Sequence, residues 1–204
     1  MNTMTVKITF IEDILGTCPN NTDIYRDFIV DKAKENGAKI TDEMENEEVE
    51  ALPVDEQIEK GMTVFPRTDD DVPFLYDYQI KGFFKGACGF LRKVPKSESS
   101  KIKAYKKEID GLIFVTPRKI VFENYELGIC QRPLRAQTMQ GERVALAMSE
   151  AIKAGATVTF TILYYNEDQR KLIEEWLDYG ALNGIGQWRN SGAGRFRWEE
   201  VEEG

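Results

Sequence analysis

The segment from Gly184 to Trp198, GIGQWRNSGAGRFRW, places glycines, arginines and tryptophans at short intervals. Glycine permits positive φ angles and close approach of the backbone to a ligand, and arginine and exposed aromatic rings contact phosphates and stack on bases. The segment follows a helix-like run, LIEEWLDYGAL. These residue types indicate a loop that contacts a nucleic-acid backbone. The alternative is a hairpin turn whose glycines serve only geometry and whose tryptophans lie in the core.

Charge is distributed unevenly along the 204 residues, whose net charge is −8. Residues 41–71 contain 12 acidic and two basic side chains, a local charge of −10. Residues 72–140 contain 13 basic and six acidic side chains, a local charge of +7. A basic patch of this kind is compatible with nucleic-acid binding despite the negative total. The alternative is that the charged groups only solvate different faces.

Histidine is absent from the chain, which excludes histidine-based triads and the commonest transition-metal ligand. Three dispersed cysteines, Cys18, Cys88 and Cys130, favour reduced thiols in a cytoplasmic protein and argue against a zinc site. No apolar run approaches the roughly 20 residues of a membrane span, and the N-terminus does not resemble a signal peptide. We therefore expect a cytoplasmic protein without cofactor or metal, and an enzyme is not the default.

Hydrophobic spacing predicts an α+β protein. Alternation predicts a strand over residues 4–11, two short strands on either side of Thr116–Pro117, a strand in AGATVTFTILYY and a last strand in GRFRWEEV. Helical spacing predicts helices from Asp23 to Gly37, from Tyr78 to Val94 and in NEDQRKLIEEWLDYGAL, the last with Leu172, Ile173, Trp176, Leu177 and Leu182 inward. Residues 38–60 are expected to form an acidic surface element, and SESSKIKAYKKEID a linker or loop. The aspartates 69–71 are expected in a solvated turn.

Three segments resemble the RAMP superfamily, in particular the backbone subunits that line guide RNA in CRISPR effector complexes. The stretch from Pro73 to Lys81–Gly82 and on to Arg92 resembles the family's helix start, AGATVTFTI resembles its later strand, and GIGQWRNSGAGR resembles its glycine-rich loop. The resemblance covers the chain from about residue 73 onward, with a weaker echo in ITFIEDILGT. The chain also looks like uncharacterised proteins of phages and mobile elements.

The resemblance implies one domain over residues 1–204 with a ferredoxin-like, RNA-recognition-motif-like core, a C-terminal glycine-rich loop and an acidic insertion at about 38–71. It also implies sequence-tolerant binding of RNA or another single-stranded nucleic acid through its backbone, with homo-oligomers or effector-complex subunits as partners. Phosphates are expected to contact the basic residues Lys81, Lys85, Arg92, Arg189 and Arg195, and Gln131, Arg132 and Arg135 are expected to form a second contact strip. The other expected nucleic-acid-binding residues are Gly186, Trp188, Gly192 and Gly194. Trp188 or Tyr179 is expected to stack a base. For each arginine the alternative is a surface ion pair with a nearby glutamate.

Two other functions remain open at this point. A Mg²⁺-dependent ribonuclease would use Asp13 near the end of the first strand, because members of the resembled family cut target RNA with a single loop aspartate; the aspartates 69–71 are a second choice. Alternatively, an interaction protein of a phage or mobile element would bind or inhibit a host defence complex. Its acidic segment 41–71 would then mimic nucleic acid toward a basic partner.

Overall fold

The structure is a computed structural model that describes the backbone of residues 1–19, 62–138 and 141–202. Side chains are described for these residues except 19 and 134–145. The helix expected from Asp23 and most of the acidic segment lie outside the described residues. No helix in the described ranges is both long and apolar enough to cross a membrane.

An antiparallel sheet forms the centre of the α+β fold. Its strands span Asn2–Phe10 (β1), Phe74–Tyr76 (β5), Phe114–Thr116 (β6), Lys119–Glu123 (β7), Thr157–Tyr164 (β10) and Phe196–Glu200 (β11). The strand order is β11–β1–β10–β7–β5, and β6 also pairs with β10. The strands predicted over residues 4–11, in AGATVTFTILYY (154–165) and in GRFRWEEV (194–201) are confirmed with somewhat different ends, and so is the pair on either side of Thr116–Pro117, a peptide bond that is cis.

The long helices pack on one face of this sheet. Helix α1 is Asp77–Leu91, α2 is Tyr105–Leu112 and α3 is Glu167–Tyr179. Phe84 of α1 meets Trp176 of α3 with ring centroids 5.4 Å apart, and Phe83 meets Phe196 of β11 at 5.3 Å. These aromatic contacts fix α1 and α3 against the sheet face that buries Met4, Val6, Ile8 and Phe10. The opposite sheet face carries half-buried polar residues of β1.

A second sheet is built around a long hairpin. Its strands are Ile14–Leu15 (β2), Cys18–Pro19 (β3), Thr63–Val64 (β4), Leu127–Thr138 (β8) and Gly141–Ile152 (β9). β9 pairs with β8 along its whole length and with β2 and β4 on its other side. Phe65, directly after β4, is 2% exposed and donates its backbone N–H to Glu150, a residue that also forms an ion pair with Arg67. Residues 63–65, which the sequence places in the acidic insertion, are thus attached to this sheet.

The structure overturns two expectations about individual segments. SESSKIKAYKKEID is not a loop but contains a 3₁₀ turn, Glu98–Lys101, followed by α2. Ser97 caps the turn by accepting the N–H of Ser100, and Ile102 and Ile109 anchor the segment in the core. Leu182, expected to face inward, is 70% exposed because α3 ends at Tyr179 and the chain turns at Gly180.

A buried polar cluster joins this segment to α3. The Glu175 carboxylate accepts the backbone N–H groups of Glu98 at 2.8 Å and Ser99 at 2.9 Å. The Ser99 hydroxyl donates to the same carboxylate and accepts the indole N–H of Trp176 at 2.9 Å. Trp176 is therefore a core residue whose polar atom is paired.

Candidate nucleic-acid interface

The glycine-rich loop connects α3 to β11 and is clamped to the end of β1. Ile185 donates its N–H to the carbonyl of Gly194 at 3.0 Å, and Gly194 donates its own N–H to the carbonyl of Asp13 at 2.9 Å. The carbonyl of Arg195 accepts the N–H of Ile11 at 2.9 Å. Because the two ends of the loop are hydrogen-bonded to each other and its C-terminal end is bonded to the residues that follow β1, the loop has a defined shape.

Positive φ angles set the course of the loop. Gly186 and Gly192 have φ of +90° and Gly194 has φ of +70°. Trp188 also lies in the left-handed region, with φ 58° and ψ 28°, and it caps a 3₁₀ turn, Arg189–Ser191. A left-handed conformation is uncommon for a bulky residue and marks a position held by its surroundings. The glycines therefore serve loop geometry, and the tryptophan is held on a strained turn rather than in the core.

A cleft of about 430 Å³ lies along this turn and is lined by the consecutive residues Gly186 to Ser191. The Gln187 side chain is hydrogen-bonded to neighbouring segments. Its amide nitrogen donates to the carbonyl of Gly16 and to the hydroxyl of Thr63, the latter at 2.8 Å. Thr63 in turn donates to the Ser149 hydroxyl at 2.8 Å. This chain of hydrogen bonds attaches the loop to β4 and to the hairpin.

Arg132 of β8 packs on Trp188, one of the residues that line the cleft. Its guanidinium carbon lies 3.6 Å from the ring centroid of Trp188, and its Nη2 donates to Ser149 at 3.1 Å. Arg132 is only 7% exposed, and its Nε and Nη1 have no hydrogen-bond partner. Burial lowers the pKa of this guanidinium. Buried charged donors without partners are costly, and an acceptor oxygen that reached Nε or Nη1 would lower this cost.

Arg189 and Arg195 provide further positive charge at the loop. Nη1 of Arg189, which is exposed, lies 3.4 Å from the position that a Cβ would occupy at Gly86 of α1. The Arg195 guanidinium lies against Gly192, and its Nε is buried and unpaired. Within the described ranges neither side chain forms an ion pair, so the ion-pair alternative has no support at these two positions.

The basic residues of α1 are engaged with α2. Lys81 donates to the carbonyl of Asp110 at 3.1 Å, and Lys85 forms an ion pair of 2.6 Å with its carboxylate. Partial burial lowers the pKa of Lys81, and the hydrogen bond from Lys85 lowers that of Asp110. Arg92 lies over the ring of Tyr105 at 5.3 Å. α2 therefore neutralises part of the basic edge, a contact that the sequence did not indicate because α2 itself was not predicted.

Other predicted site residues lie elsewhere. Tyr179 packs half-buried against the core, and Gln131 is exposed on the hairpin with Met148. The side chain of Arg135 lies outside the described side chains. Aspartates 69–71 lie exposed in a turn, and in the described ranges no cluster of three or more potential metal ligands occurs. Gln187, Thr63 and Ser149 were not predicted as site residues, because no sequence motif distinguishes these polar residues.

The carboxylate of Asp13 holds the turn between β9 and β10 in place. Its carboxylate accepts the Lys153 ammonium at 2.8 Å and the backbone N–H of Ala154 at 3.0 Å. These contacts raise the pKa of Lys153. Both oxygens of Asp13 are occupied by donors, so the geometry favours positioning of the β9–β10 turn over metal binding.

We expect Asp13→Ala to lower the free energy of unfolding by roughly 0.5–1.5 kcal/mol, because it leaves the Ala154 N–H without its acceptor. Loss of the solvent-exposed ion pair with Lys153 adds little. Urea unfolding followed by circular dichroism measures this change. Asp69→Ala is a matched control, because it removes an exposed turn carboxylate, and it is expected to change stability by less than about 0.5 kcal/mol. Equal stabilities of the two variants would contradict the anchoring role.

Together these features define an α+β protein with a cleft along its glycine-rich loop, beside which Arg132 of the β-hairpin stacks on Trp188. The fold is similar to that of one chain in the cryo-EM structure of the Type III-B Cmr-beta bound to cognate target RNA, with a TM-score of 0.55 and 14% sequence identity. The alignment covers 98% of this chain and 60% of that chain, so the protein corresponds to part of its structural neighbour. No protein-family model and no curated protein matches the sequence.

Proposed function

We propose that this chain is a RAMP-like RNA-binding protein that holds single-stranded RNA by its sugar–phosphate backbone. The observation that carries the proposal is the buried, incompletely paired guanidinium of Arg132 stacked on Trp188 beside an open cleft. Such a group suits a phosphate, whose charged oxygens accept hydrogen bonds from guanidinium N–H groups. Arg189 and Arg195 add two cations that no carboxylate of the described residues pairs.

We further propose that residues 1–204 form one ferredoxin-like domain with an acidic insertion at about 38–71. Two β–α–β units support this topology, since β1, α1 and β6–β7 are followed by β10, α3 and β11 in an antiparallel sheet of order β11–β1–β10–β7. The structural neighbour, solved with cognate target RNA, supports RNA and the subunits of an RNA-bound complex as partners. Among the alternatives, a ribonuclease centred on Asp13 is disfavoured, because Lys153 and Ala154 occupy its carboxylate.

The proposal predicts that the protein binds a fluorescent single-stranded RNA of about 30 nucleotides with an affinity that falls steeply with salt, because phosphate contacts displace counterions. Arg189→Glu and Arg195→Glu, tested singly, are each expected to weaken binding about tenfold and to reduce the salt slope by about one. Fluorescence anisotropy across a salt series measures both quantities.

Lys171→Glu provides the control, since it makes the same charge change at an exposed position of α3. It is expected to leave the salt slope unchanged. RNA binding that is absent at low salt, or equally affected by all three substitutions, would overturn the proposal. The matching DNA tests RNA selectivity, because only RNA offers 2′-hydroxyl groups.

A further inference from the structure

A second group of stacked side chains lies where β5 passes into α1. The rings of Tyr76 and Tyr78 are nearly parallel, at 16°, with centroids 5.0 Å apart. The guanidinium carbon of Arg118 lies 5.5 Å from the Tyr76 centroid and 5.3 Å from that of Tyr78. We call these three residues the tyrosine–arginine stack.

Local contacts hold the stack in place. The rings of Phe74 and Tyr76 pack edge to face, with centroids 4.9 Å apart. Asp77 accepts Arg118 Nη1 at 2.6 Å, and its own N–H donates to the carbonyl of Arg118 at 3.1 Å. The stack is thus preorganised before any ligand arrives, which lowers the entropy lost on binding.

The stack is also accessible. Tyr78 is 50% exposed, and the side chain of Arg118 is 66% exposed. An aromatic and guanidinium surface open to solvent is a typical platform for an unpaired nucleobase, because every base has a π-face that stacks on it. Packing in the protein core does not explain the tyrosine–arginine stack, since Tyr78 and Arg118 are each at least half exposed to solvent.

The charge around the stack favours an anionic ligand. Lys119 lies 5.4 Å from the ring centroid of Phe74, and Lys81 lies 5.2 Å from that of Phe114, a ring that is 42% exposed. With Arg118 these residues place three cations beside aromatic rings, of which Tyr78 and Phe114 are exposed and Phe74 is buried. The nearby carboxylates, Asp77 and Asp110, neutralise only part of this charge.

The surface of α1 connects the stack to the cleft. Tyr78, Gly82 and Gly86 recur at intervals of four and lie along one side of the helix. No atom lies within 4 Å of the position of a Cβ at Gly82, and Arg189 of the cleft lies beside Gly86. The rise from Tyr78 to Gly86 is about 12 Å, the length of three to four stacked nucleotides.

From this arrangement we infer that the tyrosine–arginine stack binds an unpaired base of the same RNA strand whose backbone enters the cleft. The inference rests on the proposed function and adds base stacking to it. Binding should then prefer single-stranded over duplex RNA, because the bases of a duplex are not available to stack. Stacking is sequence-tolerant, so no particular base is required.

The test uses the full chain and a single-stranded RNA that carries 2-aminopurine, whose fluorescence falls when it stacks. Tyr78→Ala is expected to weaken binding about tenfold and to abolish the quenching, without changing the salt slope, because the tyrosine contacts no phosphate. Tyr78→Phe should retain both properties. Tyr165→Ala is the matched control, since it removes a tyrosine that is 54% exposed just before α3, and it should behave as the wild type.

The outcomes separate this inference from the proposed function. If the wild type binds no RNA, both fail. If the wild type binds RNA and Arg189→Glu weakens it, but Tyr78→Ala binds and quenches as the wild type does, the proposed function stands and this inference is overturned. Equal affinity of Tyr78→Ala and wild type for duplex RNA, together with a loss on single strands, supports it.

Discussion

Gly194→Ala is expected to lower the free energy of unfolding by roughly 2–5 kcal/mol and to abolish RNA binding. The φ of +70° at this position is unfavourable for any residue with a Cβ. An added Cβ would also overlap the carbonyl oxygen of Ile185, whose side chain is 2% exposed. Because Ile185 donates its N–H to the carbonyl of Gly194, the two backbones cannot separate without opening the loop that holds Trp188.

Gly111→Ala is the matched control for this prediction. Gly111 lies in α2, and no atom lies within 4 Å of its Cβ position. Glycine within a helix is destabilising by roughly 0.5–1 kcal/mol relative to alanine, so this substitution should raise stability by that amount. Urea unfolding of both variants tests the contrast in sign. A Gly194→Ala variant as stable as the wild type would show that the loop does not adopt this conformation in solution.

The core strands and two of the helices could be predicted because their apolar residues follow a clear period. Val6, Ile8 and Phe10 alternate along β1 and are all buried. The hairpin could not be predicted in this way. One face of β8 carries Ile129 and Pro133, both exposed, and the other carries Arg132, so neither face is uniformly apolar. Proline also lowers the expectation of a strand.

The candidate site was predictable only in part, for a related reason. The glycine-rich loop can be recognised from the sequence, since only glycine adopts positive φ without cost and the arginines lie in the same segment. The contact between Arg132 and Trp188 joins distant parts of the chain and depends on the register of β8 and β9, which pairs Arg132 with Ala147. Likewise, the pairing of Lys85 with Asp110 required α2 to be recognised as a helix.

The surroundings of the Arg132 guanidinium determine what this residue contributes to the free energy of unfolding. The guanidinium gains a cation–π contact with Trp188 and one hydrogen bond to Ser149. Against these it loses hydration at Nε and Nη1, which have no partner. Burying a charged group without full pairing costs several kcal/mol, which the cation–π contact and the single hydrogen bond together offset only in part. Arg132 is thus expected to destabilise the free protein.

Arg132→Met is accordingly expected to raise the free energy of unfolding by about 1 kcal/mol and to weaken RNA binding at least about tenfold. Methionine fills a similar length and keeps a favourable sulfur contact with the Trp188 ring. The Ser149 hydroxyl remains paired, because it also accepts a hydrogen bond from Thr63 at 2.8 Å. Thermal or urea unfolding and RNA anisotropy on the same variant measure the two effects.

Arg132→Lys separates charge from shape. Lysine keeps the positive charge but lacks the planar group that stacks on Trp188 and pairs with two oxygens of one phosphate. It should therefore lower stability by roughly 1–2 kcal/mol and still lose most of the RNA affinity. If Arg132→Met were instead strongly destabilising and bound RNA as the wild type does, Arg132 would be a structural brace between hairpin and loop. A gain in stability together with a loss of affinity is expected only if the unpaired guanidinium is kept for an anion that the free protein does not supply.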